Sequence, residues 1–90
     1  TMGDLRIAAD AAIRALSEFS GGELEFELIG VKTVRAFDAN LIIVSVVQKD
    51  PVNPARLLGA YLADGDMARG AALAVLNATN RILGNFIATR

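Results

Sequence analysis

The side chains of this sequence with the types and spacing to do chemistry are few, and most are carboxylates or amides. Asp64 and Asp66 flank Gly65 and have the look of a paired-carboxylate cation ligand. A divalent cation takes six or more oxygen donors or several nitrogen donors, and no third acid or His lies nearby, so the pair is better read as a cap for the helix that follows. Glu23, Glu25 and Glu27 recur every second residue, which places neighbours about 6 to 7 Å apart on one face of a strand. Such a row could serve as an acidic patch or a carboxylate dyad. Its ordinary use is a solvated strand face that discourages edge pairing. Ser17, Ser20, Ser45 and the threonines have no His or well-placed Lys beside them to act as a base. The chain contains no Cys and no His, which removes thiolate and imidazole catalysis, disulfides and the common zinc sites. No catalytic residue, metal site or cofactor is therefore expected. The adjacent glycines Gly21 and Gly22 end a helix where a phosphate cradle would begin one. Asn77 and Asn80 are the polar residues most in need of an account, because they fall in the most apolar helical stretch, where a buried amide must be hydrogen-bonded. A bond to a neighbouring segment and a contact across an interface both answer that need.

The elements that must position these residues follow from periodicity. From Asp4 to Phe19 the residues Leu5, Ala9, Ala12, Ile13, Leu16 and Phe19 recur at steps of three and four, and Arg6, Asp10, Arg14 and Glu18 form an alternating-sign ladder, so the stretch is an amphipathic helix ended by Gly21-Gly22. Residues 1–3 read as a tag remnant or a disordered start. From Glu23 the period becomes two, with Leu24, Phe26 and Leu28 on the buried side, and the phase slips at Leu28-Ile29-Gly30, which predicts a bulge near Gly30 in one long strand. Arg35 to Asn40 is a turn. Leu41 to Val47 is a second strand with two apolar faces, Leu41/Ile43/Val47 and Ile42/Val44/Val46, and it needs cover on both. Pro51 and Pro54 mark a loop, and Arg56 to Ala63 is a third strand. A final helix runs from about Met67 to Ile87, with Ala68, Ala71, Ala72, Val75, Thr79, Ile82 and Phe86 on one stripe and Leu73, Leu76, Leu83 and Ile87 beside it.

The order α-β-β-β-α with short connections predicts a single α+β domain over residues 1–90, a three-stranded antiparallel sheet with two helices packed on one face. Such a monomer leaves one face of the middle strand and an edge of the last helix uncovered, so a homodimer is expected. Its interface is read from Ile42, Val44 and Val46 on the strand and Leu73, Leu76, Asn77, Asn80 and Leu83 on the helix. Nine basic residues against ten acidic ones give a net charge of -1, and 53% of the residues are hydrophobic. The longest uncharged run, Gly70 to Asn80, is too short to cross a bilayer and no export signal is legible, so a membrane partner is not expected and the cytoplasm is the expected location.

Three segments resemble the C-terminal regulatory domain of the α-isopropylmalate synthase and citramalate synthase family. Asp10-Ala11-Ala12-Ile13-Arg14-Ala15-Leu16 is similar to that family's first helix, Ala36-Phe37-Asp38-Ala39 to its Gly-x-Asp-Ala turn, and Asp66 with the run from Ala74 to Leu83 to its closing helix. The resemblance implies a stand-alone dimerising regulatory domain without synthase activity, one that binds an amino acid or another small carboxylate near the dimer interface. In the family a Gly-x-Gly-Pro-Val stretch ahead of the first helix offers its N–H groups to the effector, and here that stretch is Leu5-Arg6-Ile7-Ala8-Ala9. The expected ligand site is Arg6 with the start of the first helix, together with Asp38 and Ala39. A pure assembly or partner-binding module is the alternative. Double-stranded-RNA-binding domains share the element order and stand third, because they place lysines where this chain has Asp64 and Asp66.

Overall fold

Side-chain caps decide where both helices begin. In the computed structural model, which describes residues 1–89, the Thr1 hydroxyl accepts the Asp4 N–H at 3.3 Å and the Asp4 carboxylate accepts from the Thr1 amine at 3.2 Å. This reciprocal capping box opens α1 (Met2–Phe19), so residues 1–3 form its cap and first turn where the sequence left a tag remnant or a disordered start. The Asp66 carboxylate accepts the Arg69 N–H at 3.0 Å and opens α2 (Met67–Ala88) in the same way. That is the capping role expected of the Asp64/Asp66 pair.

Three strands lie between the helices, β1 (Phe26–Ala36), β2 (Ala39–Gln48) and β3 (Ala55–Ala63), and they form an antiparallel meander in the order β1-β2-β3. The expected α-β-β-β-α architecture is thus the one observed. β1 begins later than the Glu23 to Leu28 alternation implies. The reason is Ser20, a buried side chain whose hydroxyl donates to the Ser17 carbonyl at 3.0 Å and accepts the Leu24 N–H at 3.0 Å, holding the preceding residues in a turn. The bulge falls where the phase slips, between Leu28 and Gly30. The hairpin joining β1 to β2 is tighter than the expected Arg35 to Asn40 turn: Asn40 is already paired with Arg35, and only Phe37 and Asp38, at φ 53° and 59°, make the reversal. Two positive φ angles in succession are what a two-residue hairpin of the strands' own twist requires.

Both helices lie on one face of the sheet, α1 over β1 and α2 over β2 and β3, and they also pack on each other. Ile42, Val44, Val46 and Val75 are completely buried between the layers. α2 sits on β3 almost backbone to backbone. A Cβ on Gly59 would lie 2.2 Å from the Ala74 carbonyl oxygen and 2.5 Å from the Ala78 nitrogen, so only glycine fits beneath the helix there. This close approach changes the stripe read for the last helix, because Gly70 and Ala74 are buried against the sheet whereas Ala68 is exposed. Phe19, placed on the apolar stripe of α1, is 61% exposed and meets Phe86 of α2 edge to face, with ring centroids 6.3 Å apart. The Arg6, Asp10, Arg14 and Glu18 ladder forms no ion pair. Among the described residues the ion pairs are Thr1 with Asp4 and Lys49 with Glu27.

Candidate functional site

The residues expected to hold a carboxylate ligand do not converge. Arg6 donates from Nη2 to the Leu28 carbonyl at 3.4 Å, on the outer edge of β1 where the bulge begins. A bulge interrupts the ladder, and Arg6 supplies a donor to a carbonyl at that break. Asp38 stands at the exposed hairpin tip beyond Ala36, so about 25 Å of strand separates it from the carbonyl that Arg6 holds. Ala39 is the first residue of β2, paired with Ala36 and half-buried. Arg6 lines a concavity of about 260 Å³ with Met2, Gly3 and Val31, and beside it a cleft of about 430 Å³ between α1, α2 and β1 is lined by Thr1, Met2, Asp4, Leu5, Thr33 and Met67 among others. Its one charged side chain is the Asp4 carboxylate, held below its usual range by hydrogen bonds from the Thr1 amine and hydroxyl.

The expected interface divides three ways. Ile42, Val44 and Val46 are 0% exposed, sealed by the helices of their own chain, and cannot touch a second molecule. Which face of β2 the helices take is settled by its neighbours. Phe26 and Leu28 of β1 and Gly59 of β3 share the Ile42/Val44/Val46 side, offering bulk at one end and a notch for α2 at the other. On α2, Leu76 and Leu83 line an apolar groove of about 350 Å³ with Ala12, Ala15, Leu16 and Phe19 of α1, and Leu73 is half-buried nearby. Asn77 is committed inside the chain: its Oδ1 accepts the Ala60 N–H at 3.0 Å, on the outer edge of β3. Asn80 is exposed and its side chain makes no hydrogen bond among the described residues.

The opposite face of the sheet carries no helix. Leu41, Ile43, Ser45 and Val47 of β2 point that way, each only half-buried by its neighbours on the sheet. The register sets beside them Val34 and Leu62 in one row, Lys32 and Ala60 in the next, Gly30 and Leu58 in the third and Glu27 and Arg56 in the last. Leu58 is 69% exposed, Leu62 47%, Ile29 of the bulge 44% and Val34 41%. These residues form a continuous apolar surface, with charges confined to the outer strands. The bulge, visible in the sequence, is what puts Gly30, Lys32 and Val34 on the same side as Ile29.

The chain matches no family model, no curated protein and no solved structure. Its site chemistry is accordingly argued from its own residues. Among the described residues no group of three or more acid, His or Cys side chains could hold a metal ion, and no helix is long and apolar enough to cross a membrane. An open apolar sheet face flanked by paired charges has the physical character of an interface between proteins.

Proposed function

We propose that this chain is a non-catalytic assembly module that pairs with a second copy of itself through the open face of its sheet. One observation carries the proposal. A three-stranded sheet whose middle strand is apolar on both faces has helices on only one, and residues such as Leu58 and Leu62 stand 69% and 47% exposed on the other. Burying apolar surface yields about 25 cal/mol per Å² before the losses of association are counted, so covering this face favours association. Sedimentation equilibrium at micromolar concentration tests it. A dimer that Ile43→Asp converts to a folded monomer is the expected result, and a strictly monomeric parent protein removes the proposal.

The regulatory reading, with an amino acid or small carboxylate as ligand, has one observation in its favour, the cleft between the helix starts. It is tested by thermal shift against a panel of amino acids and 2-oxo acids, where a ligand at a hundredfold excess over Kd adds about 2.7 kcal/mol. An unchanged melting temperature across the panel leaves assembly as the sole role.

A further inference from the structure

Resting on that reading of the open face, the distribution of charge on it selects one way for two copies to meet. We propose that they stack face to face about a two-fold axis running along β2, so that Glu27 of each protomer meets Arg56 of the other.

Two closed arrangements bring the open faces together with the strands of the two copies aligned. With the axis across the strands, β1 covers β1 of the other copy in the reverse direction, and the row holding Glu27 and Arg56 falls on the row holding Val34 and Leu62. Each copy then presses a carboxylate and a guanidinium onto aliphatic side chains, a desolvation that no partner repays. With the axis along β2, each row meets its own copy with left and right exchanged. β1 then faces β3, Val34 meets Leu62, Ile29 meets Leu58, and Glu27 meets Arg56 twice, once on each side. Lys32 falls opposite Ala60 on the outer strands, where its stem covers a methyl group and its ammonium reaches water. Lys49 follows Val47 toward the open end near the axis, 4.0 Å from Glu27 of its own chain and 54% exposed, so solvent and that carboxylate screen it from its copy. Stacked sheets lie about 10 Å apart, a gap that Glu and Arg side chains span from opposite sides.

The charge-reversal cycle tests this arrangement. Glu27→Arg gives a chain with two guanidinium groups at the paired positions, and Arg56→Glu one with two carboxylates. Each variant alone is expected to dimerise at least about tenfold more weakly than the parent, a loss of about 1.4 kcal/mol. An equimolar mixture of the two is expected to form heterodimers, and the double variant Glu27→Arg/Arg56→Glu to regain parental affinity. The chain has no Cys, so Glu27→Cys and Arg56→Cys protomers can be joined by a short bismaleimide: the mixture should cross-link and neither variant alone should. A parent dimer indifferent to charge reversal, or single variants that fail to associate when mixed, overturns the axis and leaves the assembly role standing. A monomeric parent overturns both.

Discussion

On the covered face of the sheet, Ile42, Val44 and Val46 belong to one core with the helices, with Gly70 of α2 close against Ile42, and nothing of them reaches solvent. On the open face Leu41, Ile43 and Val47, of the same chemical kind and one position out of phase, meet only their neighbours on the sheet. The difference therefore arises outside β2, in the residues of β1 and β3 beside it. Hydrophobicity made both faces candidates for the core; shape chose between them. Gly59 opens a notch that admits the α2 backbone, whereas the equivalent place on the open side is filled by Leu58 and Leu62.

Filling the notch should break the distinction most severely. Gly59→Val pushes a branched side chain into the Ala74 carbonyl and the Ala78 nitrogen, and should cost more than about 3 kcal/mol in urea unfolding as α2 lifts from β3. Gly30→Ala on the open side, where a Cβ meets nothing within 4 Å, should change stability by less than about 0.5 kcal/mol. Next in size is the adjacent pair on β2. Ile42→Ala, at a site with 0% exposure, should cost about 3 kcal/mol, and Ile43→Ala less than about 1 kcal/mol when measured at concentrations too low for association. Equal losses would mean that the two faces are equally covered in solution.

Asn77→Ala separates the edge of the sheet from its faces. It leaves the Ala60 N–H without its side-chain acceptor and should cost about 1 kcal/mol, with faster hydrogen exchange at Ala60 and at its neighbours on β3. Acidification gives the smallest effect and reports on a loop away from both faces. The Asn53 and Val52 N–H groups donate to the Asp50 carboxylate at 3.0 and 2.8 Å and hold its pKa below the ordinary value. A carboxyl group depressed in the folded state stabilises fully above its unfolded pKa, and that contribution is lost as pH falls through the folded pKa. Asp50→Asn keeps an oxygen for both N–H groups and removes the titration, so its melting temperature should fall less steeply than the parent's on the acid side. Parallel curves would show that the turn contributes nothing pH-dependent.

Much of this architecture was legible in the sequence because it rests on local signals. The change of period from 3.6 to 2 at Glu23, the slip at Ile29-Gly30 and the carboxylates before Met67 each report on a few consecutive residues; the last two locate their features, and the first finds β1 but starts it three residues early. The side of the sheet that the helices cover was not legible. It depends on Gly59 of β3 lying under Ala74 and Ala78 of α2, a contact between segments that periodicity treats separately. The same limit misplaced the ligand site. That Arg6 and Asp38 stand apart follows from the length of β1 between the Leu28 carbonyl and the hairpin, and the carbonyl that Arg6 holds is set by the bulge. Phe37 gave no warning either, since a bulky residue is an unfavourable choice for a positive φ, and the tight hairpin imposes that conformation on it.

Arg6 and Asn77 have a joint consequence for how large an assembly of this chain can grow. An exposed strand edge is an invitation to add another strand, and a sheet with two such edges can lengthen without limit. Here a side chain from each helix reaches over the rim and occupies a backbone group on the outermost strand, the Leu28 carbonyl on one side and the Ala60 N–H on the other. An incoming strand has to displace a guanidinium or an amide before it can bond at those positions. Growth in the plane of the sheet is thereby checked, while contact perpendicular to it uses up the exposed surface of both partners at once. A pair formed that way leaves no open sheet face on which a third copy could stack.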